Sequence, residues 1–191
     1  MCESTARKLD EDRIYTEEDY YATGEDEHVE LIDGRFYMMA APDRTHQEII
    51  TEVVSVIRNH IRERNGSCKV YPAPFGVKLS KNKSNIVEPD VTVICDHDKL
   101  TKRGCEGAPD WIIEVVSPSD PGHDYVKKLN LYDDAGVREY WIADPMTKRV
   151  HVYRLEEGSF GVAVYTFRDR IPSGIFEDLT IDFAAIDDLL G

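Results

Sequence analysis

Trp111-Ile112-Ile113-Glu114-Val115-Val116 is a nearly continuous apolar run broken by a single carboxylate. A run of this length and composition reads as a central strand covered on both faces. It stops at Ser117-Pro118-Ser119-Asp120-Pro121-Gly122, which can continue neither a strand nor a helix. Downstream, the pattern predicts a helix over 124–135 closed by Gly136, a strand at 139–143, a turn at Asp144-Pro145, and strands at 149–155 and 162–168. A weak helical stretch follows at 184–190. Upstream, short strands are expected at 68–71, 76–80 and 91–95, with a polar loop at 80–85.

Further towards the N-terminus, Val29-Glu30-Leu31-Ile32 and Arg35-Phe36-Tyr37-Met38-Met39-Ala40 flank Asp33-Gly34, the strongest short signal for a β-hairpin. Ile49, Ile50, Val53, Val54, Ile57 and Ile61 recur at three- and four-residue spacing. They predict an amphipathic helix over 44–64, closed by Asn65-Gly66. Thr16 followed by Glu17-Glu18-Asp19 has the cap and acidic first turn of a short helix. The expectation is one α/β domain over 1–191, a central mixed β-sheet flanked by helices, with an N-terminal hairpin and long helix.

A chain of 191 residues can bury a substantial single core. No apolar run nears the roughly 20 residues needed to cross a bilayer, and residues 1–12 are charged and lack the apolar stretch of a secretory signal. A cytoplasmic protein is expected. Cys2, Cys68, Cys95 and Cys105 are scattered, with no CxxC pair. That spacing argues against structural zinc and for reduced thiols, Cys95 being read as a small core residue. The net charge of −14 argues against tight nonspecific binding to nucleic acid, which needs a basic face. It does not argue against metal-dependent chemistry, because a bound cation reverses the local field.

Glu114 is the most informative residue in the chain. An unpaired buried carboxylate costs several kcal/mol, so it needs a partner, a proton or a metal. A structural ion pair would satisfy it equally well. Asp90 also precedes an apolar strand (Val91, Val93, Cys95), directly after Glu88-Pro89, although many Pro-Asp pairs simply make turns. Two such carboxylates followed by a lysine make sense for phosphodiester hydrolysis. Mg²⁺ takes one or two carboxylates and keeps several waters, and a nearby ammonium can orient water or offset developing charge.

Pro89-Asp90-Val91, Ile113-Glu114-Val115-Val116-Ser117-Pro118-Ser119, the DYVKKLNLY segment at 124–132 and Gly136-Val137-Arg138-Glu139-Tyr140-Trp141-Ile142-Ala143-Asp144-Pro145 resemble motifs of the Uma2 family of endonuclease-like proteins. Val29-Glu30-Leu31-Ile32-Asp33-Gly34-Arg35 looks like that family's acidic hairpin. The match runs from about residue 15 to 155. It implies a PD-(D/E)XK, restriction-endonuclease-like core. Asp90 and Glu114 match its two metal-binding carboxylates, Glu30 its additional acidic residue. Mg²⁺ is the implied cofactor, with Mn²⁺ able to substitute, and DNA the implied substrate.

The usual pattern places a lysine two residues after the second carboxylate, but here that position is Val116. In proteins resembling this chain the lysine comes from the following helix, where Lys128 is the matching position. Asp124, Lys128 and Tyr132 are spaced four apart and share a helix face. A surface pairing of Lys128 with Asp124 is the plainer reading without the resemblance, and Lys127, about 100° around the helix, is the nearest rival. His46 opens the long helix and is left outside the core site. Besides an endonuclease, the sequence admits a non-catalytic nucleic-acid or protein-interaction module on the same fold, and a hydrolase of RNA or another phosphoester. A double-strand cutter needs two active sites, which a homodimer supplies. Phe160, Phe167 and Phe176 suit either that interface or the core.

Overall fold

Alternation along the central strand sorts its side chains into two separate cores. Trp111, Ile113 and Val115 enter one cluster, while Ile112 and Val116 enter another. Glu114 shares the face of Ile112 and Val116, as period-two alternation requires. The computed structural model describes residues 13–24, 27–39, 41–80, 85–117, 127–156 and 159–190.

The chain begins with α1 (Glu17–Tyr21), the hairpin β1 (Val29–Ile32) and β2 (Arg35–Met38), and the long helix α2 (Arg44–Glu63). Short strands follow as β3 (Lys69–Pro72), β4 (Val77–Lys78), β5 (Ile86–Val87), β6 (Val91–Ile94), β7 (Leu100–Thr101) and β8 (Gly104–Glu106). The central strand β9 (Trp111–Val115) leads to α3 (Leu129–Ala135) and β10 (Glu139–Asp144). The remainder is β11 (Arg149–Glu156), β12 (Ser159–Thr166), β13 (Arg170–Pro172), β14 (Thr180–Asp182) and α4 (Phe183–Leu189).

Among the described residues there are two six-stranded sheets and a two-stranded one. The central sheet has the order β12-β11-β10-β9-β6-β3 and is mixed, β9 running parallel to β10 and antiparallel to β6. The second has the order β2-β1-β5-β4-β8-β7. It was not legible as a sheet in the sequence, because strands of two or three residues such as β4, β5 and β7 carry no measurable periodicity. The apolar stripe of α2 packs on one face of the central sheet together with Phe183 and Ile186 of α4. The other face meets Tyr132 of α3 and Ile32, Val77 and Val87 of the second sheet. That second interface holds Glu114.

Local chemistry explains most boundaries. Asp33 (φ 51°) and Gly34 (φ 74°) both adopt positive φ, as a tight primed hairpin turn demands. Asp43 caps α2 by accepting from the His46 N–H at 2.8 Å, and Asn65 (φ 52°) ends it, with Gly66 N–H bonding back to Ile61. Thr16 and Asp19 form a reciprocal capping box on α1. Gly136 (φ 87°) ends α3 where expected; the expected start at 124–126 lies outside the described residues. Strand β12 starts at Ser159 rather than Val162.

One expectation needs correction, and one alternative left open is resolved. Cys68 and Cys95 form a disulfide rather than reduced thiols. The antiparallel pair Lys69↔Ile94 places these residues opposite each other one step beyond the β3–β6 ladder, a proximity that scattered sequence positions cannot reveal. Cys105 is free and buried, and Cys2 lies outside the described residues. Of the three phenylalanines, Phe167 belongs to the main core and Phe176 packs against it, whereas Phe160 is 59% exposed. No helix among the described residues is long and apolar enough to cross a membrane.

Candidate active site

Register brings the two carboxylates together. Val91 pairs with Ile113 across the β6–β9 ladder, so Asp90, one residue before β6, lies opposite Glu114. The two residues then lock each other: Val115 N–H donates to Asp90 Oδ2 at 2.7 Å, and Asp90 N–H donates to Glu114 Oε2 at 3.2 Å. Pro89, with its fixed φ, sets up this approach.

Lys128 completes the cluster. Its ammonium lies 2.9 Å from Glu114 Oε1 and 3.0 Å from Glu30 Oε1, in a side chain only 4% exposed. Glu30 projects from β1 and also accepts the Glu88 backbone N–H at 3.1 Å. All four residues expected at the site therefore meet: Glu30 from the hairpin, Asp90 from the start of β6, Glu114 from β9 and Lys128 from the turn preceding α3. The lysine absent at position 116 is replaced in space by one from the next helix. Val116 itself packs in the apolar cluster beneath. Lys127 points elsewhere, bonding to the Tyr37 hydroxyl with its ammonium 3.6 Å from that ring's centroid. The suggested pairing of Lys128 with Asp124 falls on a residue outside the described set.

Sequence reasoning passed over two further groups. Tyr132 donates its hydroxyl to Glu114 Oε1 at 2.8 Å. Burial, reinforced by the charges of Glu114 and Glu30, pushes this phenol well above the ordinary tyrosine range, so it remains a donor. Its four-residue spacing from Lys128 was the available signal. His46 Nε2 lies 3.1 Å from Asp90 Oδ2. Burial alone would push this imidazole down, but the Asp90 carboxylate outweighs it and holds the His46 pKa above its usual value. His46 thus belongs beside the site after all, brought there because α2 packs against β9.

The donor chemistry suits a hard cation. Two buried carboxylates, Glu30 and Glu114, contact the buried Lys128 ammonium, and a third, Asp90, contacts the His46 imidazole, so acidic groups outnumber basic ones in a dry setting. Among the described residues, His46 Nδ1 is buried with no hydrogen-bond partner. No three His, Cys, Asp or Glu side chains among them are arranged as a ready metal cage. Mg²⁺ does not require one, since it binds through one or two carboxylates and keeps its waters.

Comparison with known proteins follows the same line. The Uma2 family model, described as "Putative restriction endonuclease", matches residues 16–184. An uncharacterized protein of Synechocystis sp., slr1290, is 24% identical over 144 residues, covering 74% of each chain. A crystal structure of a "putative nuclease belonging to DUF820" from Anabaena variabilis superposes with a TM-score of 0.76 at 21% identity. It covers 92% of this chain and 98% of its own. The two chains share one fold over nearly their whole lengths.

Proposed function

This chain belongs to the Uma2 family, and from that premise we propose that it is a metal-dependent endonuclease hydrolysing phosphodiester bonds in DNA. The observation carrying this reading is the convergence of Glu30, Asp90, Glu114 and Lys128, from four separate segments, on one buried point. A purely structural ion pair needs one carboxylate and one cation, not two carboxylates on one lysine with a third carboxylate locked beside them.

In this reading Asp90 and Glu114 hold Mg²⁺, or Mn²⁺ in its place. When bound, the ion supplies charge neutralisation at the phosphate and a water of lowered pKa. The chain's own groups do the positioning. Lys128 presents its ammonium where negative charge grows on the phosphoryl oxygens, or orients the attacking water. Glu30 holds that ammonium in place from the far side. Tyr132 and the Asp90 backbone fix the two oxygens of Glu114, and His46 fixes Asp90. Purified protein should nick or cut plasmid DNA in Mg²⁺ or Mn²⁺, and Asp90→Ala should abolish this. Equal trace activity in the wild type and the variant would sink the proposal.

A non-catalytic interaction module on the same fold is favoured by a different observation: Lys128 already neutralises Glu30 and Glu114, in a chain of net charge −14. Calorimetry decides between them, because only the enzyme should bind Mn²⁺ in a Glu114-dependent manner. Two-strand cleavage would use two copies of the chain. In support, Phe160, Val162 and Val164 stand exposed on β12, an edge strand of the central sheet.

A further inference from the structure

A free sheet edge presents unpaired N–H and C=O groups, and charge, proline or shortness keeps other chains from adding to it. Most edges among the described strands are guarded in this way. β3 carries Lys69 and Pro72, β13 carries Arg170 and Pro172, β2 carries Arg35, β14 carries Asp182, and β7 is two residues long. β12 is the exception, because its eight residues, SFGVAVYT, include neither a charge nor a proline. One face of this strand is also apolar and open: Phe160, Val162 and Val164 are 59%, 52% and 54% exposed. The stripe extends a core outward. Val162 pairs with Tyr153 and Phe160 with Leu155 across the β11–β12 ladder, and Tyr153 and Leu155 belong to the apolar cluster that also holds Val116.

Charge and symmetry select the occupant. Copies of a chain with net charge −14 repel one another, so an uncharged strand is where two of them can meet. A basic partner would find nothing on it to pair with. The strand is also self-complementary. In antiparallel pairing about a two-fold axis through Val162, that residue faces its own copy and Phe160 faces Val164, so each exposed apolar side chain meets another on the same face. We propose that β12 pairs antiparallel with β12 of a second copy of this chain, in the register centred on Val162, joining the two central sheets into one. The three side chains expose on the order of 300 Å² per copy, the size at which a patch marks an interaction site. With the strand edges, the pair buries roughly 1,000 Å², the lower bound for a specific interface, which makes the dimer a weak, micromolar one. Cleavage of both DNA strands as the use of this dimer rests on the nuclease reading; the pairing itself does not.

Sedimentation velocity of the full-length chain, from about 1 to 100 μM to bracket such an affinity, should show a monomer–dimer equilibrium. Val162→Lys sets two like charges opposite each other at the axis and should weaken the dimer about tenfold or more, with thermal melting unchanged. Single cysteines read the register independently, in a Cys2→Ser background where Cys68 and Cys95 are bonded to each other and Cys105 is buried. The Val162→Cys thiol faces its own copy within disulfide reach. The Val164→Cys thiol lies roughly 13 Å along the strand from its copy. Oxidised glutathione should therefore link Val162→Cys into a covalent dimer and leave Val164→Cys and Phe160→Cys unlinked, yet link those two when they are mixed. A monomer across the whole range, a dimer indifferent to Val162→Lys, or linking at 162 no greater than at 164 overturns the pairing. Plasmid nicking in Mn²⁺, measured alongside, separates the two readings. A dimer with the predicted links that does not nick supports the pairing and overturns the nuclease reading; a monomer that nicks does the reverse.

Discussion

Replacing Lys128 by methionine keeps the length of the side chain and removes its charge. In the folded protein the Lys128 side chain is 4% exposed and its ammonium sits between two carboxylate oxygens, at 2.9 Å and 3.0 Å. Both carboxylates are themselves buried, Glu114 at 3% exposure and Glu30 at 2%. Removing one member of a buried ion pair costs about 3–5 kcal/mol, because the remaining charge stays buried without compensation. For a domain of this size each kcal/mol shifts the melting temperature by roughly 2–4 °C, so Lys128→Met should melt roughly 6–20 °C lower. Lys127→Met is the internal control. Its ammonium lies over the Tyr37 ring, an interaction of about 0.5–1 kcal/mol at such a partly exposed site. Equilibrium urea unfolding of the two variants reads the difference directly. Adding Glu114→Gln to Lys128→Met should recover part of the loss, with a coupling of about 1–3 kcal/mol. If Lys128→Met unfolds within about 0.5 kcal/mol of the wild type, or Lys127→Met is the more damaging, the buried-cation account is wrong.

Three other outcomes follow from different parts of the molecule. Mn²⁺ at ten times its Kd should raise unfolding stability by about 1.4 kcal/mol, an increment that Asp90→Asn should erase; an unchanged increment would place the ion elsewhere. Glu139 is buried, accepting from Trp141 Nε1 at 2.5 Å and Gly174 N–H at 2.6 Å, and burial raises its pKa above the ordinary 4.5. The folded state therefore holds this proton more tightly than the unfolded chain, so its contribution declines as pH rises from about 4.5 through the raised value. Glu139→Gln should flatten that decline, and identical pH profiles for the two proteins would refute it. The Cys68–Cys95 bond spans 27 residues, which corresponds to about 3.5 kcal/mol of loop-closure entropy; Cys95→Ser in denaturant titrations should lose a comparable amount, and a loss under 1 kcal/mol would count against it.

Much of the fold was legible because it depends on local pattern. The Asp-Gly turn, the 3.6-residue stripe of α2 and the apolar run of β9 each express one period in one segment. The second sheet was missed because its short strands are defined by their partners rather than by any repeat. Phe167 and Phe160 look alike in the sequence, yet one fills the core and the other projects from an edge strand. Cys68 and Cys95 show the same limit: their pairing comes from the β3–β6 ladder, not from spacing.

For the site, the sequence by itself determined the chemistry available. A carboxylate inside an apolar strand must find a partner, and that constraint alone singled out Glu114. The spacing of Lys128 and Tyr132 on one helix face was also written locally. Only the tertiary structure decided which partners met. Antiparallel register set Asp90 against Glu114, packing of α2 on the central sheet delivered His46, and the second sheet brought Glu30 to Lys128. It also separated Lys127 from Lys128, neighbours in the chain whose ammonium groups face different surroundings. The physical reason is that a residue's identity fixes what it can bond to, whereas long-range packing fixes what lies within reach.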